Sequence, residues 1–198
     1  MNRQRNKEYT KKILIDSAME LFKKQSFQQT TIQNIVDAAG FSKPTFFAYF
    51  KSKEQILYEF DLNQMVLLEE LQKKVISQGE NLLEGLAENI VKLALMLHTT
   101  TMFTQNTVHL LTVSEAYKEM LAELFNTFKM VVKVTIDYGQ QNGIVKPEIC
   151  SKSISDDVIN IYMGTLLSWL IFDGNEPLEK VMGTTLKNYL QGIALPKS

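Results

Sequence analysis

The run from Thr30 to Gln55, TTIQNIVDAAGFSKPTFFAYFKSKEQ, constrains this chain more than any other stretch. Three helix starts and one tight turn are packed into it, with a suitable residue at each junction. Thr30 is placed to cap a first helix, and Gln33 three positions on completes a capping box. Ile32, Ile35, Val36 and Ala39 give that helix one apolar face at 3.6-residue spacing. Gly40 stands where a chain leaving a helix needs a left-handed residue. Ser42 is a cap for the next helix, and Pro44 is tolerated in its first turn because the missing N–H has no partner there. Phe41 and Phe46 occupy the positions of a hydrophobic staple, and Ser52 with Gln55 predicts a second capping box opening a third helix. Two short helices joined by a Gly-containing turn form a helix-turn-helix, whose second helix docks in the DNA major groove.

Charge distribution agrees with a polyanion partner. The net charge of −1 hides an asymmetry: residues 1–55 hold ten Lys/Arg against five Asp/Glu, while the remainder holds eleven against seventeen. A basic module on an acidic body is the electrostatic footprint of a nucleic-acid binder. Four prolines, nine glycines and no alternating strand pattern in 198 residues argue for an all-α fold of about nine helices. No apolar run reaches the length of a membrane span, and the polar start MNRQRNKEYTKK lacks a signal core, so a cytoplasmic protein without membrane association is expected. The single cysteine, Cys150, excludes an intrachain disulfide and any multi-cysteine metal site; it reads as a small buried apolar residue. There is no Gly-rich phosphate loop, no metal-ligand cluster and no nucleophile motif, so the sequence predicts neither an enzyme nor a cofactor.

The Thr30–Gln55 run resembles the DNA-binding domain of the tetracycline-repressor (TetR) family of bacterial transcription regulators. Thr30, Thr31, Ile32, Ile35, Ala39, Gly40, Ser42, Pro44, Thr45, Tyr49, Phe50, Ser52, Lys53 and Glu54 match that family's pattern; Val36, Phe41 and Phe47 depart from it. The resemblance implies a three-helix DNA-binding domain at 1–54 and a helical ligand-binding and dimerisation domain at 55–198. It also implies a homodimer on a palindromic double-stranded operator, acting as a repressor and released by a small molecule. Control by a protein partner is the alternative.

Groove reading requires side chains at the start of the second helix of the motif. Lys43 suits guanine O6 or N7, Pro44 and the Thr45 methyl suit the thymine methyl, and Gln33 suits a base edge or a phosphate. By the resemblance, phosphate contacts come from Thr31, Thr45, Tyr49, Lys53 and position 47, beside the cap Ser42. The family's tyrosine donates its hydroxyl at position 47, and Phe47 cannot; one lost hydrogen bond is worth about 0.5–1.5 kcal/mol. Arg3, Arg5, Lys7, Lys11 and Lys12 form a basic arm ahead of a helix expected over 8–25, and Phe27 plugs the small core.

Beyond the motif, adaptable methionines and aromatics suit an apolar effector. The expected liners are Met65, Met96, Met102, Met120, Phe103, Tyr117, Phe125, Phe128 and Tyr162, with His98 and His109 to orient a polar group. The last two helices, expected over 155–172 and 177–193, carry a stripe of Val158, Ile161, Tyr162, Thr165 and Trp169, then Val181, Met182, Thr185 and Tyr189. By the resemblance this stripe is the dimer interface. Met163, Leu167, Leu170 and Ile171 add apolar surface outside it.

Overall fold

The computed structural model describes residues 2–25, 27–78, 81–97 and 101–196; the side chains of residues 2–5, 78, 101–103 and 106 lie outside that description. Its described residues form nine helices: α1 (Asn2–Lys24), α2 (Ile32–Ala39), α3 (Lys43–Phe47), α4 (Lys53–Gln78), α5 (Leu82–Leu97), α6 (Thr101–Val113), α7 (Glu115–Gln141), α8 (Ser151–Ile171) and α9 (Leu178–Ile193). The all-α expectation therefore holds. Among the described residues the one β feature is an isolated antiparallel bridge between Val145 and Ala194.

Several boundaries differ from expectation. The first helix begins at Asn2, so the segment carrying Lys7, Lys11 and Lys12 is helical rather than a free arm. Helix α3 is shorter than expected, ending at Phe47 rather than running on to Phe50. Helix α8 starts four residues earlier than expected because Cys150 adopts the extended N-cap conformation.

The chain divides into two compact units. The first holds the residues through Leu62 together with α6 and the start of α7 through Leu121. Its small core is built on Leu14, Ala18 and Phe22 of α1, Ile35 and Val36 of α2, Phe46 of α3, and Ile56 and Leu57 of α4, all essentially inaccessible to solvent. Phe27 closes this core from the α1–α2 loop, with its ring 4.9 Å from that of Phe22. Phe46 and Phe50 stack obliquely at 5.6 Å, so both are core groups and unavailable to DNA.

The second unit comprises Asn63 to the end of α5 and the residues from Ala122 onward. Helix α9 packs on α5 and on α8. Leu86, Ile90 and Ala94 of α5, Phe128, Val132 and Ile136 of α7, Ile154 and Val158 of α8, and Met182 and Leu186 of α9 are buried. The C-terminal segment is fastened beside the bridge by Lys146 N–H donating to Ile193 O and Leu195 N–H donating to Ile144 O.

Candidate nucleic-acid interface and effector region

The helix-turn-helix is assembled by local backbone chemistry. Thr31, not Thr30, caps α2: its Oγ1 accepts from Asn34 N–H at 3.1 Å, and Asn34 Oδ1 accepts from Thr31 N–H at 2.9 Å. The box is therefore one residue later than predicted. Thr30 is buried, and its hydroxyl accepts from Gln25 Nε2 at 3.0 Å, so it closes the preceding loop and is not available as a cap. Gly40 ends α2 in the left-handed region at φ 70°, ψ 31°, returning its N–H to Asp37 O and Val36 O. Residues with a β-carbon are strained there, which fixes the sharp turn into α3. Ser42 caps α3 as expected, accepting from Thr45 N–H at 3.4 Å, and the two hydroxyls meet at 2.9 Å.

This turn leaves one face of α3 in solvent. Ser42, Lys43, Pro44 and Phe47 are exposed, Thr45 and Tyr49 are half-buried, and Thr31 and Gln33 are exposed at the start of α2. Lys43 and Phe47 are four residues apart and so share a face. Phe47 is 55% exposed, with its edge against Phe46 at 5.4 Å, a large exposure for an aromatic ring. Gln33 Nε2 donates to Asp37 Oδ1 at 2.7 Å, a bond it must release to reach a base.

Lys53 has a role that sequence reasoning missed. Its Nζ donates to Phe27 O at 2.6 Å and Thr30 O at 3.0 Å, and lies 4.2 Å from the centroid of the Phe27 ring. Desolvation by burial lowers its pKa, partly offset by neighbouring Glu54. Two of its three N–H groups thus tie the first turn of α4 to the α1–α2 loop. The second predicted capping box is also displaced, since Gln55 Oε1 accepts from Lys51 N–H at 2.7 Å. In the N-terminal helix, Lys11 is paired with Glu59 at 2.7 Å and Lys12 with Asp16, so two of the five expected arm cations are engaged within the protein.

The predicted effector residues fall into both units. In the first, Tyr117 is buried, Met120 half-buried and His109 exposed. In the second, Met65, Phe128 and Tyr162 are buried, Phe125 is half-buried, and Met96 is 41% exposed. Tyr162 gathers Phe128 at 5.4 Å and Phe125 at 6.3 Å, both edge-on. His109 and Met96 are thus accessible to solvent. His98, Met102 and Phe103 lie outside the described side chains.

One surface groove of the second unit, about 480 Å³ and bordered by Leu83, Ile144, Leu190 and Lys187, is lined by none of the expected effector residues. Among the described residues, no three His, Cys, Asp or Glu side chains are grouped to hold a metal ion. Nor is any described helix long and apolar enough to cross a membrane. Cys150 is exposed rather than buried, and N–H groups of Ser153 and Lys152 lower its thiol pKa.

Four of the nine predicted dimer-stripe residues also need correcting. Val158, Tyr162, Thr165 and Met182 point into the second unit's own core. Ile161, Trp169, Val181 and Tyr189 are half-buried or exposed, and Thr185 is exposed. Trp169 Nε1 donates to Glu176 O at 2.9 Å, and Tyr189 donates its hydroxyl to Asp157 at 2.7 Å. The apolar surface left on α8 is Met163, Leu167 and Ile171, spaced four residues apart, with Phe172 beyond; Leu167, Ile171 and Phe172 are each at least half exposed. Gly164 lies beside this stripe, and a β-carbon placed there would meet nothing within 4 Å, so the ridge is low at that point.

Asp61 of α4 was not singled out from the sequence, yet it is the most perturbed acid among the described residues. It is 7% exposed and its pKa is pushed up to about 8 by burial alone. Tyr117 feels its charge from α7: burial first, then Asp61, raises the tyrosine pKa, and the Thr107 side chain of α6 lowers it. The Tyr117 hydroxyl reaches no partner at full hydrogen-bond geometry.

Comparison with known proteins supplies the family. Residues 14–60 match the model described as bacterial regulatory proteins, tetR family. The chain is 22% identical over 177 residues to the HTH-type transcriptional repressor DhaR of Mycobacterium sp. (strain GP1), covering 85% of this chain and 86% of that protein. It is 22% identical over 183 residues to the fatty acid metabolism regulator protein of Bacillus subtilis (strain 168), covering 91% and 93%. In fold it resembles Thermus thermophilus FadR, a TetR family transcriptional repressor crystallised with lauroyl-CoA, at a TM-score of 0.71 and 20% identity over 95% of this chain and 97% of that one. A capped α2–turn–α3 with its reading face in solvent, the family's domain over that segment and the same helical architecture throughout make this chain a TetR-like family transcriptional regulator.

Proposed function

We propose that the protein is a repressor that binds a palindromic operator as a homodimer, through residues 1–54, and releases it when residues 55–198 take up a small, mainly apolar effector. The observation that carries the DNA-binding half is the exposed face of α3. Lys43, Pro44 and Phe47 stand in solvent on a helix whose opposite side is anchored in a closed core by Phe46. One such face offers few base contacts, each worth about 1–3 kcal/mol of discrimination. Two copies on two half-sites supply the specificity that one lacks. The Met163–Leu167–Ile171 stripe supports the pairing, because an exposed apolar helix face on an otherwise buried helix needs cover.

An apolar effector is supported by the buried Met65 and the Phe125–Phe128–Tyr162 cluster, and by the lauroyl-CoA in the Thermus thermophilus relative. Release requires the effector to prefer a conformation whose two recognition helices no longer match the half-sites. Moving a population from 1:99 to 99:1 takes about 5.5 kcal/mol of such preference, which two modest sites in a dimer can share. Selection of bound sequences from a random DNA pool tests the proposal. Recovery of an inverted repeat with half-sites about one helical turn apart is expected, and Lys43→Ala loses the enrichment. Recovery of a single unpaired half-site contradicts the dimer, and no enrichment at all contradicts sequence-specific repression.

A further inference from the structure

Three phenylalanines stand close together in the second half of the helix-turn-helix, and one of them does not join the core. Phe46 and Phe50 are buried, whereas Phe47 between them is 55% exposed. Its ring centroid lies 5.4 Å from that of Phe46, with the planes at 84°. An edge-on contact of this kind is favourable for aromatic rings. One side of the Phe47 ring is therefore supported by the core of the first unit, and the other side is left in solvent.

The neighbours of that ring on α3 are set by helical spacing. Lys43 and Pro44 lie four and three residues before it, on the same face, and both are exposed. Ala48, exposed at the C-cap, lies four residues after Pro44 and extends the apolar surface. A cation and an apolar patch of Pro44, Phe47 and Ala48 thus share the face that the Gly40 turn leaves open. About 6 Å of helix axis separates Lys43 from Phe47, so both belong to one half-site.

A phenyl ring has few partners on DNA. It carries no donor or acceptor, so phosphate oxygens and the polar base edges offer it no hydrogen bond. Wedging between base pairs is one use of an exposed apolar side chain, but such wedges enter from the minor groove. The second helix of a helix-turn-helix works in the major groove, where the one methyl group is that of thymine, read by apolar contact. We propose that Phe47 is a specificity-determining residue: its exposed ring packs on a thymine methyl and so requires a thymine in each operator half-site. The assignment rests on the operator-binding reading and adds one base to what α3 recognises.

The test removes one methyl at a time. Bound duplexes are selected from a random DNA pool with the full chain. In the best of them, each thymine of one half-site is replaced singly by deoxyuridine, which keeps the base pair and deletes only the C5-methyl. Fluorescence anisotropy then gives Kd for the parent, Phe47→Ala and Phe47→Leu. One thymine is expected at which the replacement weakens the parent about fourfold, the effect of withdrawing a methylene-sized group from apolar contact. At that position Phe47→Ala should bind both duplexes alike, and Phe47→Leu, which keeps an apolar chain, should retain part of the difference. Methyl effects at other thymines should persist in both variants, a readout that mere unfolding of a variant would not leave intact. No methyl effect anywhere in the parent, or methyl effects that all survive undiminished in Phe47→Ala and Phe47→Leu, overturns the assignment and leaves operator binding standing. Failure to select any sequence overturns the operator-binding reading, and the assignment with it.

Discussion

Replacing Asp61 by Asn should stabilise the protein, and by an amount that grows with pH. Burial raises the Asp61 pKa from 3.8 to about 8. Between those values the unfolded chain has released the proton that the folded chain still holds. Stability contributed by this group is thus complete below pH 3.8 and is lost as pH rises to about 8, above which the loss is constant. Each pH unit in that window costs about 1.4 kcal/mol of folding free energy. Asparagine keeps the size and cannot ionise, so it has no such slope. Every other titrating group is common to both proteins and cancels in the difference. The stability of Asp61→Asn relative to the parent should therefore rise by about 4 kcal/mol between pH 5 and pH 8. Urea unfolding followed by circular dichroism at pH 5, 6, 7 and 8 measures it directly. A difference that stays flat across this range refutes the reasoning, because it would mean that Asp61 folds as an ionised, satisfied carboxylate.

Further expectations concern the DNA-binding unit and the α8 stripe. Lys53→Met removes two hydrogen bonds from a charged donor, each worth about 1.5–3 kcal/mol; it should lower the melting temperature, while Lys43→Ala leaves it unchanged and weakens only DNA binding. Phe47→Tyr restores a hydroxyl on an exposed face and should tighten operator binding by about 0.5–1.5 kcal/mol, read by fluorescence anisotropy with no change in melting temperature. Gly40→Ala should destabilise the unit by about 1 kcal/mol in chemical denaturation, since the left-handed φ of 70° is retained and open space gives no compensation. Leu167→Glu should shift the molecular mass by light scattering from dimer to monomer without unfolding the chain, as the residue is 50% exposed.

What could be read in advance follows from the range of the forces. The turn at Gly40 and the cap at Ser42 are decided by neighbouring residues, and both stood in the sequence. The choice between Thr30 and Thr31 as the α2 cap was not local: Gln25, across the loop, takes the Thr30 hydroxyl. Lys53 in the first turn of α4 reads as a phosphate contact, and only the return of the Phe27–Thr30 loop turns it into an internal staple as well.

Helix α8 is apolar on more than one face. Periodicity could mark two stripes without saying which meets the protein's own core, and the Val158–Tyr162 face takes that place. Asp61 had no signal at all, because a single acid in FDLNQ looks like ordinary helix surface until α6 and α7 are placed against it.

The most direct test of the central claim is equilibrium binding of the purified protein to its own upstream intergenic DNA across a salt series, against a scrambled duplex of equal length. Saturable binding to one palindrome, with affinity falling linearly in log salt and exceeding that for the scrambled duplex at least a thousandfold, is what a specific dimeric repressor produces, on the order of the 10³–10⁷ ratios that specific binders reach. Equal affinity for both duplexes at every salt concentration would contradict it.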